Sequence, residues 1–368
     1  MSIHSIAILG AGNGGSAAAA DLTLRGYEVR LYSRSEKTLE PILKRGGIEL
    51  TEAGKQNFAK PHLVTNKPGE AVAGADLIMI AAPAVAHETQ ATNLAGCLSD
   101  GQIIFLNPGH TGGSLHVAAL LRRLGVAAKV QVCETVTLTY ICRLIGPAQV
   151  EIYRRTENIR FAAFPGKLTA RLLPEIGEVY PNIAPATNVL ETGLSNINAM
   201  MHPAGMVGNA GRIEAGGGNF YFYRDGITPA IAHVIGAVDR ERLAIVRRLG
   251  LPLLSFVDIF HRAGLTSEAA RQSQSVYQAT QESAANRTIK APPTLNHRYL
   301  NEDVGFGLAP MSEFARLIGV ETPVIDALIT LASEINRTDY RREGLTLEKM
   351  GLSGVAPDRL RTLLHEGF

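Results

Sequence analysis

The feature that most constrains the fold is a glycine-rich segment near the amino terminus, Gly10-Ala11-Gly12-Asn13-Gly14-Gly15. It follows a short apolar run, Ser5–Leu9, and opens an alanine-rich stretch, Asn13–Arg25. A strand, a tight glycine turn and a helix in this order are typical of a βαβ unit that binds a dinucleotide. The alternative is a glycine-rich turn that serves packing only.

Each glycine has a physical role in such a unit. Gly10 permits the tight turn, Gly12 lets the backbone approach a pyrophosphate, and Gly15 lets the helix pack closely on the strand. The amino terminus of the helix then faces the phosphates. Small residues follow a later apolar run as well, at Ala82-Pro83, where they would let a cofactor lie across the strand ends. A plain turn from strand to helix is an equal alternative there.

The end of the second predicted strand, Glu28–Tyr32, indicates which dinucleotide is bound. NAD enzymes usually place an Asp or Glu there to hold the ribose 2′-hydroxyl. Here the chain reads Ser33-Arg34-Ser35, and Glu36 is the first carboxylate. An arginine beside small hydroxyls suits a 2′-phosphate, so NADP(H) is the preferred cofactor and NAD(H) the alternative. Arg34 as a solvated surface residue remains the other interpretation.

Further apolar runs extend the strand–helix alternation. Asp76–Ala81 and Gln102–Leu106 are continuous rather than alternating, which favours a parallel sheet covered on both faces. Gln149–Tyr153 and Asn158–Phe164 are separated by a charged turn and are predicted to form a hairpin at the sheet edge. The fold class is therefore α/β, with a Rossmann-type doubly wound parallel sheet.

The second half of the chain has a different pattern. After Tyr180–Pro185 strand signals nearly vanish and helical periodicity dominates. We therefore predict a dinucleotide-binding domain over 1–184 and a mostly α-helical substrate or catalytic domain over 185–368. The predicted helices of this domain are Thr228–Leu249, Pro252–Arg262, Ser267–Ala279, Pro310–Gly319 and Pro323–Ile335.

Composition limits the partners. The chain has 36 basic and 34 acidic residues, so its charge gives no case for a nucleic-acid or membrane-surface partner. Three scattered cysteines, Cys97, Cys133 and Cys142, fit a reducing compartment and neither a disulfide framework nor a zinc site. We expect a cytoplasmic protein with small-molecule substrates and no metal, and a homodimer is left open.

One candidate for the chemistry lies early in the second half. In Ser195-Asn196-Ile197-Asn198-Ala199-Met200-Met201-His202-Pro203, Ser195 or Asn196 can cap a helix that places Asn198 and His202 on one face. Pro203 cannot donate to the carbonyl four residues back, so the helix is predicted to kink or break at the histidine. The alternative is a core histidine with a satisfied hydrogen bond.

A second candidate is the charged segment that runs from Asn296 to Gly307. It contains Arg298-Tyr299-Leu300-Asn301-Glu302-Asp303 and leads into an apolar Val-Gly-Phe-Gly run. In a regular helix Arg298 and Asp303 would point about 140° apart. The segment must turn if both residues serve one site; a solvated helix face is the alternative.

With these segments in view, the sequence resembles the opine dehydrogenases, the octopine and nopaline dehydrogenase-like family. The glycine loop, Asn198-x-x-x-His202-Pro203 and Arg298-Tyr299-x-x-Glu302-Asp303 occur in the expected order, and the closing Gly344–Gly351 also looks like that family. The resemblance spans essentially the whole chain. It implies NAD(P)H-dependent reductive condensation of an L-amino acid with a 2-keto acid, giving an N-(carboxyalkyl) amino acid.

The resemblance also implies roles for single residues. The residue at His202 is the acid/base, Asp303 assists it or meets the amino substrate, and Arg298 holds a substrate carboxylate. These residue types suit the reaction, because arginine binds a carboxylate with two donors and histidine transfers protons near neutral pH. Thr135 could place a hydroxyl near the keto acid, and His110 could line the amino-acid side.

Two other functions compete with this one. A hydroxy-acid dehydrogenase of the ketopantoate reductase or glycerol-3-phosphate dehydrogenase type has a similar two-domain plan. Such enzymes usually place a catalytic lysine on the first helix of the second domain, whereas Gly193–Gly211 contains none. The second alternative is a non-catalytic NADP(H)-binding sensor.

Overall fold

The computed structural model of the protein describes residues 3–252 and 254–368. The chain forms two compact units. The first unit comprises the described residues of Met1–Gly109, Gly113–Thr192 and Thr362–Phe368, and the second comprises those of His110–Gly112 and Gly193–Arg361. The short stretch around His110 thus belongs to the second unit, although the residues on either side of it belong to the first. That 1–184 and 185–368 fold as separate domains stays a prediction.

The strands of the first unit form two sheets. In chain order they are β1 (Ser5–Leu9), β2 (Glu28–Tyr32), β3 (Ile48–Glu52), β4 (Lys55–Ala59), β5 (Leu63–Thr65), β6 (Leu77–Ile80), β7 (Ile103–Leu106), β8 (Gln131–Thr135), β9 (Tyr140–Gly146), β10 (Gln149–Arg155), β11 (Ile159–Phe164) and β12 (Ile183–Pro185). The larger sheet has the order β12-β11-β8-β7-β6-β1-β2-β5. Its pairs from β8 through β5 are parallel, and β11 is antiparallel to β8.

The large sheet is covered on both faces, as the continuous apolar runs predicted. Strand β1 is buried along its whole length. Its residues alternate between two hydrophobic clusters, with Ile6 and Ile8 in one and Ala7 and Leu9 in the other. Since β2 and β6 flank β1 on opposite sides, the chain changes direction across the sheet at this strand. In doubly wound folds ligands bind at the carboxyl end of such a strand, which is where the glycine loop lies.

The predicted edge hairpin is wrong. Strand β10 belongs to the smaller sheet, of order β4-β3-β10-β9, whereas β11 belongs to the large one. Burial alternates along β10, where Val150 and Ile152 are buried, while the last four residues of β11 are buried without a break. Neighbouring runs therefore fit different sheets, and their spacing in the chain cannot show which partner each one takes. The β3–β4 hairpin, joined by the left-handed pair Ala53-Gly54, was not predicted.

Helices complete both units. Up to residue 194 they are α1 (Asn13–Leu24), α2 (Glu36–Arg45), α3 (Pro68–Val72), α4 (His87–Leu94), α5 (Gly113–Arg123), α6 (Thr169–Val179) and α7 (Val189–Leu194). Beyond it they are α8 (Ile197–Gly208), α9 (Ala210–Gly216), α10 (Pro229–Leu249), α11 (Phe256–Arg262), α12 (Glu268–Ser273), α13 (Val276–Gln281), α14 (Arg298–Asp303), α15 (Ala309–Leu317), α16 (Pro323–Asn336), α17 (Tyr340–Glu343) and α18 (Pro357–Glu366). The predicted helical second half is confirmed. π-Helical turns at Phe222–Gly226 and Val304–Leu308 add to it.

Two predicted helices differ in extent. The helix predicted over Ser267–Ala279 divides into α12 and α13, because Gln274 between them is left-handed with φ of 52°. The helix predicted from Pro252 begins at Phe256, where the Ser255 side chain caps it by accepting the Asp258 N–H; Leu253 lies outside the described residues. No helix in the described part of the chain is both long and apolar enough to cross a membrane.

Candidate active site

The glycine loop of the first unit has the geometry that the spacing of its glycines requires. Gly10 has a φ of +118°, and a Cβ there would lie 2.6 Å from the Ala81 carbonyl oxygen. A Cβ at Gly15 would lie 1.7 Å from the Gly10 carbonyl oxygen, so helix α1 packs on the loop only because that residue is glycine. At Gly12 a Cβ would meet no atom within 4 Å. The backbone is therefore open at the point where a pyrophosphate would approach.

The amino terminus of α1 is also available to a phosphate. Its N-cap is Gly12, which has no side chain to accept the first N–H groups. These groups have no partner within a helix, and they favour an anion. The Asn13 side chain is engaged elsewhere, since its Oδ1 accepts the Leu144 N–H at 2.8 Å, and Ala11 is buried. The loop therefore offers backbone donors, and it fits a dinucleotide.

The residues predicted to contact the cofactor ribose follow β2. Ser35 caps α2 by accepting the Thr38 N–H, and Ser33 Oγ accepts the Ser35 N–H, both at 3.3 Å. Arg34 is exposed, and its guanidinium has no hydrogen-bond partner among the described residues. Glu36 accepts a hydrogen bond from Asn66 at 2.7 Å. The cation is thus free to meet a phosphate, and the first carboxylate is already engaged.

Three further predicted residues lie at strand ends of the first unit. Ala82 and Pro83 follow β6, the neighbour of β1, and are half-buried and exposed respectively. Thr135 ends β8 and is fully buried, and its hydroxyl donates to Asn107 Oδ1 at 3.2 Å. Asn107 also accepts the Thr139 N–H at 3.1 Å. The Thr135 hydroxyl is therefore part of a buried polar cluster.

In the second unit, His202 and Asp303 form a buried pair. Asp303 Oδ2 lies 2.7 Å from His202 Nδ1, and both side chains are almost fully buried. The carboxylate can only accept, so Nδ1 carries the proton and Nε2 of the neutral ring keeps its lone pair. The other oxygen, Asp303 Oδ1, has no hydrogen-bond donor among the described residues. His202 is therefore a base held in one orientation, and it lies next to a carboxylate oxygen, Asp303 Oδ1, that lacks such a donor.

Two tyrosines that were not predicted complete the surroundings of His202. Tyr223, in the π-helical turn Phe222–Gly226, donates its hydroxyl to Nε2 at 2.8 Å. The Tyr299 ring stacks on the imidazole with ring centres 3.6 Å apart and planes 15° apart. The aromatic run at 220–223 was the available signal, but its partner lies about twenty residues away on another element. The hydroxyl at Nε2 marks the nitrogen that would face a reactant.

The helix that carries His202 is continuous. Helix α8 runs to Gly208 through Pro203. Of the predicted kink or break at the histidine, the break is therefore wrong, and the kink stays a prediction. A proline removes one helical hydrogen bond, and here the surrounding packing holds the helix together. The predicted cap is confirmed at Asn196, whose Oδ1 accepts the Asn198 N–H at 3.1 Å. Asn198 itself is half-buried.

Arg298 lies on α14 with Glu302 one turn further on. Its Nη2 lies 2.7 Å from Glu302 Oε2; the arginine side chain is 55% exposed, and that of Glu302 is 1% exposed. The turn that a shared site was expected to need is absent, since α14 is regular over Arg298 and Asp303 and the π-helical turn begins only at Val304. The two residues are nevertheless close enough that the charge of Asp303 acts on Arg298. Glu302, which was not assigned a role from sequence, thus holds one edge of the guanidinium.

His110 reaches the same carboxylate. Its Nε2 lies 2.8 Å from Glu302 Oε1, and both side chains are buried. Burial alone would lower the pKa of His110, but the charges of Glu302 and Asp303 outweigh it and hold that pKa above the ordinary histidine value. Burial would likewise lower the pKa of Arg298, and the same two carboxylates raise it. Glu302 and Asp303 therefore favour the charged forms of His110 and Arg298.

His297 begins α14. Its Nδ1 accepts the Tyr299 N–H at 3.3 Å. Burial and the charge of Arg298 lower its pKa, which keeps the ring neutral and able to accept. Among the residues that the structure describes, no three His, Cys, Asp or Glu side chains are grouped so that they could hold a metal ion.

Two known families match different parts of the chain. Residues 185–336 match the family described as NAD/NADP octopine/nopaline dehydrogenase, alpha-helical domain. Residues 6–150 match ketopantoate reductase PanE/ApbA. The second match covers the dinucleotide-binding part, which the competing hydroxy-acid dehydrogenases share, whereas the first covers His202 and Arg298.

Relatives match over the whole length. The opine dehydrogenase of Arthrobacter sp. (strain 1C) is 40% identical over 359 residues, which are 98% of each chain. A solved octopine dehydrogenase with NADH and L-arginine superposes with a TM-score of 0.78 at 22% identity, over 98% of each chain. A yersinopine dehydrogenase with NADP+ bound gives a TM-score of 0.77 at 17% identity, over 100% of this chain and 98% of that one. The chain belongs to the opine dehydrogenase family of NAD(P)-dependent oxidoreductases, which act on the CH–NH group of their donors.

Proposed function

We propose that the protein is an NADP(H)-preferring opine dehydrogenase that joins an L-amino acid to a 2-keto acid. The observation that carries this proposal is the buried His202–Asp303 pair, because condensation needs a group that both takes and gives protons. The product is an N-(carboxyalkyl) amino acid. Its formation loses one water and adds two hydrogens to the two substrates.

Arg298 is the group we assign to the carboxylate of the keto acid. More than half of its side chain is exposed, and its Nη2 lies 2.7 Å from Glu302 Oε2. A planar guanidinium can still offer two parallel N–H donors to a carboxylate, which a lysine cannot. The charge and shape of Arg298 therefore select a 2-keto acid over a neutral ketone.

His202 and Asp303 carry the proton transfers. The neutral imidazole removes a proton from the ammonium group of the amino acid, whose nitrogen attacks the keto carbon. The imidazolium then protonates the departing hydroxyl, so that water leaves and an imine forms. Asp303 Oδ2 keeps the ring in the required tautomer. Its unpartnered Oδ1 can hold the incoming ammonium group.

When bound, the nicotinamide cofactor supplies the hydride that reduces the imine carbon. The first unit would hold its pyrophosphate through the backbone of Gly10–Gly15. The exposed guanidinium of Arg34, beside Ser33, supports NADP(H) over NAD(H), because a 2′-phosphate would provide it with a charged partner. Ala82 and Pro83 leave room at the strand ends next to the loop.

Several assignments stay predictions. They are contact of Asn198 with a substrate, of His110 with the amino acid and of Thr135 with the keto acid, and a homodimer. We place the protein in the cytoplasm, since Cys97, Cys133 and Cys142 are all free thiols and suit a reducing compartment.

The decisive experiment mixes the protein and NADPH with a matrix of keto acids and L-amino acids, follows the loss of reduced-nicotinamide absorbance, and identifies products by mass. We expect slow oxidation with pyruvate alone and fast oxidation once a suitable amino acid is added. Arg298→Lys should raise the KM for the keto acid, and Asp303→Asn should impair mainly the amino-acid step. Fast reduction of a keto acid to its hydroxy acid, unaffected by any amino acid, would move the protein to the hydroxy-acid dehydrogenases.

A further inference from the structure

The buried Glu302 carboxylate is shared by two basic side chains of the second unit. One oxygen lies 2.7 Å from Arg298 Nη2, and the other lies 2.8 Å from His110 Nε2. Arg298 carries a fixed charge, whereas His110 can change its charge near neutral pH. The extent to which Glu302 neutralises Arg298 therefore depends on whether His110 is protonated.

Contacts of the neighbouring backbone hold His110 next to Glu302. His110 is a non-glycine residue in the left-handed region, with φ of 57°. Such a conformation persists where surrounding contacts enforce it. Here the Thr111 N–H donates to the Phe306 carbonyl at 3.3 Å, and the Thr111 hydroxyl donates to the Gly193 carbonyl at 3.1 Å. Both bonds hold the imidazole against Glu302 at a local conformational cost.

We propose that His110 and Glu302 form a proton-linked counter-ion pair that controls how strongly Arg298 binds the keto-acid carboxylate. This proposal rests on the role of Arg298 proposed above. When His110 is protonated, it neutralises Glu302, and the charge of Arg298 is available to the substrate. When His110 is neutral, Glu302 neutralises Arg298, and the carboxylate is held weakly. Binding of a keto acid is therefore coupled to uptake of a proton from solvent.

The proton that makes His110 cationic is taken up at Nδ1. His110 Nδ1 lies 3.2 Å from the amide nitrogen of Asn196, whose oxygen accepts the Asn198 N–H. Because the amide nitrogen donates, Nδ1 carries no proton in this arrangement, and the one proton of the neutral ring is on Nε2, 2.8 Å from Glu302 Oε1. A proton on Nδ1 requires the Asn196 amide to turn and accept it. The charged groups that act on the ring are Glu302, Asp303 and Arg298, and the first two favour the proton.

Removing each charge of the His110–Glu302 pair in turn, and then both together, distinguishes this role from a structural one. Removing the cation with His110→Gln leaves Glu302 to neutralise Arg298 at every pH, so the KM for pyruvate should rise about tenfold from its value at low pH. Removing the anion with Glu302→Gln should leave that KM low and independent of pH. The double variant should recover the low KM of Glu302→Gln, whereas two structural defects would add.

The test measures the KM for pyruvate from about pH 6 to about pH 9, at saturating NADPH and amino acid. We expect the wild-type KM to rise as the pH rises above the ordinary histidine range. Both single variants should lose this pH dependence, with a high KM at every pH for His110→Gln and a low one for Glu302→Gln. His261→Gln and Glu268→Gln serve as matched controls, because they alter a more exposed His–Glu pair of the same unit, 3.4 Å apart. These controls should retain the wild-type profile.

A second readout does not depend on turnover. The ring signals of His110, assigned by NMR with His110→Gln, should titrate at higher pH when pyruvate is bound in the presence of NADP+. An active enzyme whose pyruvate KM is the same at all pH values, or a double variant worse than His110→Gln, would overturn the inference and leave the proposed function intact. An enzyme inactive with every pair of substrates would instead overturn the proposed function.

Discussion

Asp303 Oδ2 lies 2.7 Å from Nδ1 of His202, and the opposite ring nitrogen accepts a hydrogen bond from Tyr223. The carboxylate fixes the tautomer, so Nε2 is the basic nitrogen. Because both partners are buried, neither can be replaced by water without cost. The pair therefore presents one defined proton acceptor.

His202→Ala removes this acceptor. We expect turnover to fall by about 10²–10⁴-fold, the usual contribution of a general acid–base, with NADPH binding largely retained. Single-turnover rates measure the loss of turnover, and fluorescence titration measures the binding of NADPH. If a folded variant turned over at a near-normal rate, His202 would be a core histidine only.

Tyr223→Phe leaves the ring in place and removes the hydroxyl from Nε2. One neutral hydrogen bond contributes about 0.5–1.5 kcal/mol, so we expect kcat to fall by up to about tenfold. The change should be smaller for Tyr299→Phe, because Tyr299 contacts His202 by ring stacking, which phenylalanine preserves. A higher kcat/KM in Tyr223→Phe would contradict the expectation and show that the hydroxyl competes with the substrate for Nε2.

Local pattern predicted the dinucleotide loop, because one short segment contains all of its determinants. It also predicted a helix that carries His202 and is capped by Ser195 or Asn196, and the cap is Asn196. The resemblance supplied the role of Asp303, whose contact with His202 spans 101 residues. Pattern failed where partners are distant: it paired β10 with β11, and it missed Tyr223 and the Glu302–His110 contact. Register and long-range ion pairs depend on tertiary packing, which local periodicity does not contain.

Arg34→Ala tests the cofactor preference. The exposed guanidinium would lose a charge-assisted bond to the 2′-phosphate, so we expect NADPH binding to weaken by about 1.5–3 kcal/mol and NADH binding to change little. Lys44→Ala, at the far end of α2 and paired with Glu40, should affect neither cofactor. The Kd values of both cofactors for the three proteins settle the matter. Equal weakening for both cofactors, or a native preference for NADH, would exclude a 2′-phosphate contact.

Asp21→Asn probes the stability of the first unit. Asp21 on α1 is buried, accepts the Tyr140 hydroxyl at 2.8 Å, and meets Arg155 at 2.7 and 3.0 Å. Burial alone would raise the pKa of Asp21, but the hydrogen bonds from Arg155 and Tyr140 hold it below the ordinary value. The ion pair thus joins α1 to β10, and the hydrogen bond from Tyr140 joins α1 to β9.

A carboxylate whose folded-state pKa is depressed stabilises the fold above its unfolded pKa of about 3.9, and that contribution is lost as pH falls through the folded value. Asp21→Asn should therefore lower the free energy of unfolding at neutral pH by about 1–3 kcal/mol, less than for a fully buried pair because Arg155 is partly exposed. It should also flatten the acid side of the stability profile below about pH 4. Urea unfolding followed from neutral to acid pH measures both effects, with Glu40→Gln as an exposed carboxylate control. The pair would have no net stabilising role if Asp21→Asn unfolded at the wild-type urea concentration at neutral pH.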